Sequence, residues 1–425
     1  MEAMQPEHWH AVCTYVKAPC TVLALLDALP AWAKGDRLLQ LQELATRVPI
    51  ASLWPKLRVP ARVSPQLLSL YCAVAPLYTM VCVDHKCNVS VVLALSKAAP
   101  QALLRVRGGV STTWRPSLET LRIASIKVDS DDCDDDEGCN AMLSLPALVP
   151  RLRHLTHMRL ANGLGHATGA FFAALAHSTT ISSLSLSSFV YAAADLRHLH
   201  TWVAASAESF FVDDSTLLSE PATSEALHGL CNALHVAPTL RHLGLDAAFA
   251  DTFCRQRHTT PLGLTTLHLS SKQLQLLHLA PRLRDAPLQT LRATGAYDAR
   301  PLLLQLRAMP RLTRLHVSMC HLGDAGCARL ASALRNATSL RHVILTGNEI
   351  SDIGARELAT ALPTTRMALL GLEMNRVTMV GALALVQKSH RGVALDLSWN
   401  LLSTDEQDYV TYMAASTTRA KIIFR

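Results

Sequence analysis

Apolar and polar positions alternate in a recurring frame along the last quarter of the chain. Leu312-x-x-Leu315-x-Val317, Leu340-x-x-Val343-x-Leu345, Met367-x-x-Leu370-x-Leu372 and Gly392-x-x-Leu395-x-Leu397 share one spacing. Alternation over so few residues predicts a short strand with one buried face. Three of the four then place an asparagine at the same offset, Asn348, Asn375 and Asn400, while the first has Cys320. Glycine supports the register independently, because Gly326, Gly354 and Gly381 each fall fourteen residues after their unit opens. Residues 327–334 and 355–362 then space Leu and Ala at i, i+3, i+4 and i+7, the stripe of an amphipathic helix. Each unit therefore reads as a strand, a turn and a helix.

Carried backward, the frame opens further units at Leu288, Leu264, Leu240, Ala207, Ile181, Leu155 and Leu118, and then at Gln101, Leu77 and Trp54. The units from 264 to 312 are short and leave room only for degenerate helices. The run Leu340-Arg-His-Val-Ile-Leu-Thr-Gly-Asn-Glu-Ile-Ser-Asp-Ile-Gly-Ala-Arg-Glu-Leu-Ala-Thr-Ala-Leu362 resembles the ribonuclease-inhibitor-like class of leucine-rich repeats. The resemblance is closest over 312–403, looser over 155–311 and loosest before 118. It implies an α/β leucine-rich-repeat solenoid: a curved horseshoe with parallel strands on its concave face and helices on its convex face. It also implies a structural role for Asn348, Asn375 and Asn400, whose amides can satisfy backbone groups where strand turns toward helix. The expected organisation is an N-terminal helical cap over 1–50, with helices broken at Pro30. A solenoid over 51–403 follows, carrying an acidic loop insertion at about 129–140, and then a C-terminal cap over 404–425.

Composition agrees with an array of thin layers. Of 425 residues half are hydrophobic but only 5% aromatic, so the core is filled by Leu, Ala and Val. The net charge of +7 is too small for this length to mark a nucleic-acid binder by itself. Its make-up is more telling: nine residues are Lys and 31 are Arg, the side chain that pairs bidentately with carboxylate or phosphate. Eleven scattered cysteines, an odd number, point to unpaired thiols in a reducing compartment. The first seven residues carry two acids and no Arg, unlike a targeting peptide, and no run of eighteen apolar residues occurs. An intracellular, cytoplasmic protein without membrane contact is expected. Cytoskeletal or ciliary association follows only from similarity in unit type.

In the Leu-x-x-Leu-x-Leu frame, residues two, four and six places after the opener face away from the core. Early units place Lys56, Arg58, Arg105, Arg107, Arg122, His157 and Arg159 on that face. The middle gives Ser183, Ser185, Ser187, Ser209, Phe211 and Asp213. Later units give His242, Asp246, His268, Arg292, Arg314, His316 and His342, and finally Glu373 and Asp396. A basic early face suggests a partner protein with an acidic contact surface, nucleic acid being the alternative. One acidic candidate is internal: Asp129-Ser-Asp-Asp-Cys-Asp-Asp-Asp-Glu137 reads as a self-repelling loop that could compete for Arg105, Arg107 and Arg122.

Reactive chemistry is not expected. The glycine-rich stretch from Asn162 to Gly169 is explained by the repeat, since Gly169 stands fourteen residues after Leu155. Cys82-x-x-His85-x-Cys87 lacks a second ligand pair at zinc spacing, and in the frame opening at Leu77 Cys82 takes a core slot. No catalytic residue, metal, cofactor or small-molecule substrate is assigned. The expected function is a non-catalytic scaffold or complex subunit that binds another protein. The alternatives are a GTPase-activating protein of the leucine-rich-repeat type and an RNA-binding ribonucleoprotein subunit.

Overall fold

The computed structural model describes residues 9, 12, 13, 15, 16, 18–108, 110, 112–128, 145–161, 167–337, 339–417 and 420–424. The acidic run at 129–137 and residues 162–166 of the glycine-rich stretch lie outside these. The chain divides into two compact units, with the boundary between Leu186 and Ser187.

The first unit opens with helices Pro19–Ala28 and Ala31–Arg47, which flank the break at Pro30 and bury Val22, Leu26, Leu38, Leu41 and Leu44. Six strands follow, β1 (Leu57–Val59), β2 (Met80–Asp84), β3 (Leu103–Arg107), β4 (Ile123–Val128), β5 (His157–Ala161) and β6 (Ser183–Ser187), in chain order along the sheet. Pairing is parallel, so each connection must cross back over one face. Helices Pro65–Val74, Val89–Ala98 and Thr168–Ala176 make some of these crossovers.

Two registers in this unit differ from the sequence reading. Leu57, Val81 and Leu104 are aligned across β1, β2 and β3, so the second unit opens at Tyr78 rather than Leu77. Adjacent apolar residues made both frames plausible. The choice is settled by Tyr78, buried with its ring 5.6 Å from that of the preceding opener, Trp54. Cys82 thereby leaves the core slot and faces outward between Arg58 and Arg105. The unit read from Leu118 slips further. Its strand starts at Ile123 and its pairing with β3 shifts between Leu104 and Arg105, a bulge in which Ile123 and Ala124 are both buried. Arg122 therefore precedes the strand, its Nη1 donating to the Pro100 carbonyl at 3.0 Å. Ser125 and Lys127 occupy the face instead.

In the second unit β7 (Val190–Tyr191) pairs only with β9 (Thr216–Leu217), while β8 (Ser209–Asp213) begins the main run. Next along the sheet come β10 (His242–Leu245), β11 (Thr266–Gln275), β12 (Thr290–Asp298), β13 (Arg314–Ser318), β14 (His342–Ile344), β15 (Leu369–Gly371) and β16 (Ala394–Asp396). A last strand, β17 (Lys421–Ile423), pairs with β16, so residues after 404 add both a helix, Thr404–Thr417, and a sheet edge. The frame residues Leu315, Val343, Leu370 and Leu395 stand in register and are buried to within 1%. Burying each such side chain is worth about 1.5–3 kcal/mol.

The asparagine offset forms a ladder between neighbouring repeats. Asn375 Oδ1 accepts from the backbone N–H groups of Asn348 and Ile350, while its Nδ2 donates to the carbonyls of Leu345, Leu372 and Glu373. Asn348 accepts likewise from Cys320 and Leu322, and Asn400 from Val377. Cys320 fills the same post in its unit, its sulfur receiving the Ala296 N–H at 3.3 Å and lying 3.1 Å from the Ser318 carbonyl.

A second ladder explains the glycine offset. Asp324 accepts from the N–H groups of Ser351 and Gly354 and from the Ser351 hydroxyl, and Asp352 does the same for Thr378 and Gly381. Each carboxylate thus caps the helix of the following unit. A Cβ on Gly354 or Gly381 would lie 2.5 Å from the capping oxygen, so a side chain there would displace the cap.

Between 264 and 312 the helices shrink to the 3-10 turn Ala280–Leu283 and the short helix Arg300–Gln305, as the spacing implied. β11 and β12 extend instead, with pairing shifts after Ser270. Gly295, at φ +75°, brings its Cα close enough that an added Cβ would stand 2.2 Å from the Ser271 carbonyl oxygen. Gly295→Ala is expected to cost about 2–4 kcal/mol, from a left-handed backbone and a clash with main chain. Urea unfolding followed by far-UV circular dichroism measures it.

Candidate functional site on the strand faces

Strand alternation exposes one row of side chains per strand while the next sinks into the core. On the first unit Lys56, Arg58, Arg107, His157 and Arg159 are exposed and Arg105 is half-buried. Register brings them together. Arg58, Cys82 and Arg105 align across β1 to β3, and Arg107, Lys127 and Arg159 align across β3 to β5. Adjacent strands lie about 4.8 Å apart, so successive cations are near neighbours. Among the described residues Lys56, Arg58, Arg105, Arg107 and Arg159 form no ion pair. The one acid on β1 to β5, Asp84, accepts from the Lys86 N–H at 2.9 Å, lies 3.3 Å from His85 Nδ1 and stands opposite Arg107 in register.

Cys82 reports the same concentration of charge. Burial pushes its thiol up, against the opposing pull of Arg105, Lys56 and Arg58. Cys87 turns elsewhere, donating to the Pro60 carbonyl at 3.2 Å, and His85 is buried beside Gly108. Among the described residues no three His, Cys, Asp or Glu side chains converge as a metal-ligand set, and no helix is long and apolar enough to cross a membrane.

On the second unit the middle residues Ser209 and Phe211 are half-buried, with the Phe211 ring 5.6 Å from that of His268. His268, Arg292 and His316 align across β11 to β13, and Arg314 aligns with His342. Arg292 and Arg314 are exposed, while His242, His268, His316 and His342 are half-buried. Two acids counted on this face from sequence are withdrawn from it. Asp246 is buried, accepting from Ala248 N–H as the cap of helix Ala247–Arg255 and from Ser215 N–H. Asp396 is buried and held by Ser398. The face is thus more basic than its sequence suggests.

The histidines feel that charge. Burial, then Arg292, His268, Arg314 and His342, lower the His316 pKa to about 4. Burial and Arg292 lower His268, and burial and Arg314 lower His342. A ring more readily protonated when unfolded favours the native state only while neutral. That stability is present above the usual imidazole pKa of about 6.5 and is lost as pH falls toward about 4. The loss from His316 is expected to be on the order of 1 kcal/mol, since a half-exposed ring is partly screened. Unfolding midpoints from pH 7.5 to 4.5 should show it, and His316→Asn should flatten the slope.

The sequence frame also holds a row that the face reading passes over, seven places after each opener. There Met319, Met374 and Trp399 are 53%, 55% and 72% exposed and take left-handed backbone angles, with Gly347 between the two methionines. Beside them Glu349 pairs with His321 at 2.8 Å and Arg376 at 3.2 Å. Bulky apolar residues are rare in that conformation, and the fixed offset was the signal available to find them.

No family model matches the sequence. Among solved structures, an internalin from Listeria monocytogenes is similar at 16% identity and a TM-score of 0.42, over 83% of this chain and 88% of that one. Parallel strands in chain order, asparagine turns and returning helices make this chain a leucine-rich-repeat protein in fold.

Proposed function

We propose that the chain is a non-catalytic binding subunit that recognises an acidic surface on another protein through the strand face of its first unit. The observation that carries this reading is the in-register row Arg107, Lys127 and Arg159 beside Arg58 and Arg105. Like charges placed directly opposite on neighbouring strands destabilise a sheet. An anionic partner gains from such a row, because its field steers and orients the encounter. The twelve-residue helix Gly323–Leu334 and the asparagine ladder support assignment of the later repeats to the ribonuclease-inhibitor-like subclass.

The test compares capture of partners by the wild-type chain and by Arg105→Glu/Arg107→Glu/Arg159→Glu. Loss of a captured protein is the expected result, and undiminished capture contradicts the proposal. If the captured species is RNA, the same cations serve phosphates and the partner class changes.

A further inference from the structure

The second unit carries its own cluster, chemically distinct from the arginine row of the first. Two permanent cations, Arg292 and Arg314, stand among His268, His316 and His342 on β11 to β14. Among the described residues neither arginine forms an ion pair. The groups facing His316 are Arg314 and Ser318 on its own strand, Thr290, Arg292 and Thr294 on β12, and His342 with Ile344 and Thr346 at β14. The nearest acid on that side, Glu373 after β15, accepts from the Thr346 hydroxyl. On the other side Asp246 is committed to backbone N–H groups.

We propose that this cluster docks a segment of consecutive acidic side chains from a partner protein and takes up protons on His268, His316 and His342 as it binds. The inference rests on reading the strand faces as binding surfaces, but concerns a different unit and a different property. Charge complementarity selects the occupant. Two arginines match two or three carboxylates, and each further carboxylate replaces the cationic surroundings of an imidazole with an anion, favouring its protonated form. A nucleic acid strand would need a longer run of fixed cations and stacking platforms, whereas Phe211, the ring beside the cluster, is half-buried against His268.

The linkage has a definite sign. In the free cluster burial and the neighbouring arginines disfavour protonation of His268, His316 and His342. A bound acidic segment restores their basicity, so binding consumes protons and tightens as pH falls. Each proton taken up contributes up to tenfold in affinity per pH unit.

The probe is a rhodamine-labelled decaglutamate, which remains largely ionised at pH 5.5. Anisotropy titrations use Arg105→Gln/Arg107→Gln/Arg159→Gln as background, so that the first unit contributes little. Affinity is expected to rise at least about tenfold between pH 7.5 and 5.5. His268→Asn/His316→Asn/His342→Asn should bind as the background does at pH 7.5 and lose the acid gain. Arg292→Gln/Arg314→Gln should weaken binding at both pH values. An acid gain unchanged in the histidine variant overturns the inference, as does indifference to Arg292 and Arg314, or tighter binding of a ten-nucleotide oligouridylate through them. None of these outcomes bears on whether a cellular partner depends on Arg105, Arg107 and Arg159, so the two proposals fail separately.

Discussion

Asn375→Ala is expected to lower the unfolding free energy by about 3–5 kcal/mol, because it strands several buried backbone groups at about 1–3 kcal/mol each. The native amide accepts from Asn348 N–H at 2.9 Å and Ile350 N–H at 3.0 Å and donates to three carbonyls at 2.9–3.0 Å. Alanine replaces none of these, and the site is 6% exposed, leaving little room for water to substitute. The bonds to Asn348, Ile350 and Leu345 cross to the preceding repeat, so their loss weakens the coupling on which a stacked array depends. Asn348→Ala should act similarly. Asn400→Ala should cost less, since Asn400 accepts from one backbone N–H, that of Val377. Asn375→Cys should lose less than the alanine variant, because Cys320 already fills the equivalent post. Urea unfolding distinguishes them, and a loss below about 1 kcal/mol for Asn375→Ala would show that the ladder is not what joins the repeats.

Arg105→Glu/Arg107→Glu/Arg159→Glu is expected to weaken the partner complex about 100-fold or more while leaving the fold intact. Each reversal removes an attraction and adds a repulsion at a face where charges already lie in register. Truncating a single paired, desolvated charge at an interface commonly costs 2–5 kcal/mol, so three reversals reach that range even if each is partly screened. The wild-type complex should also weaken as salt rises from 50 to 300 mM, and the variant much less, because screening acts on charges that it no longer presents. Stability should change little, since the reversals relieve the repulsion at Lys127 but Arg107→Glu sets a second carboxylate opposite Asp84. Thermal unfolding of the isolated variant checks that lost binding is not lost folding. An equal salt dependence in both chains would assign the electrostatics to another surface.

How far these features could be read from sequence depended on how strongly the core constrained each position. From Ile181 onward each opener is followed by apolar residues at fixed offsets, and a one-residue slip would put polar side chains into the core, so the frame is unambiguous. His268, Arg292, Arg314, His316 and His342 consequently stand where alternation placed them. Near the N-terminus the constraint weakens. Leu77 with Tyr78, and Leu118 with Leu121 and Ile123, offer overlapping apolar frames. Only the aromatic contact of Tyr78 and the bulge at Ile123 and Ala124 separate them; Cys82 joined the exposed face and Arg122 left it accordingly, while Lys127 had not been placed from sequence. Asp246 and Asp396 escaped for a different reason. Their slots are on the exposed face, but backbone N–H groups recruit them, and a helix cap or turn contact is not visible in the spacing of leucines.

Lysine crosslinking of the purified complex tests the strand-face account most directly, because lysines stand both on the strand face and on helices. Lys56 and Lys127 stand on the strand face of the first unit, whereas Lys97 and Lys388 are exposed on helices Val89–Ala98 and Met379–Lys388. Partner crosslinks at Lys56 and Lys127, absent from Lys97 and Lys388 and lost with the arginine reversals, are the predicted result. Crosslinks confined to the helix lysines and insensitive to those reversals would contradict it.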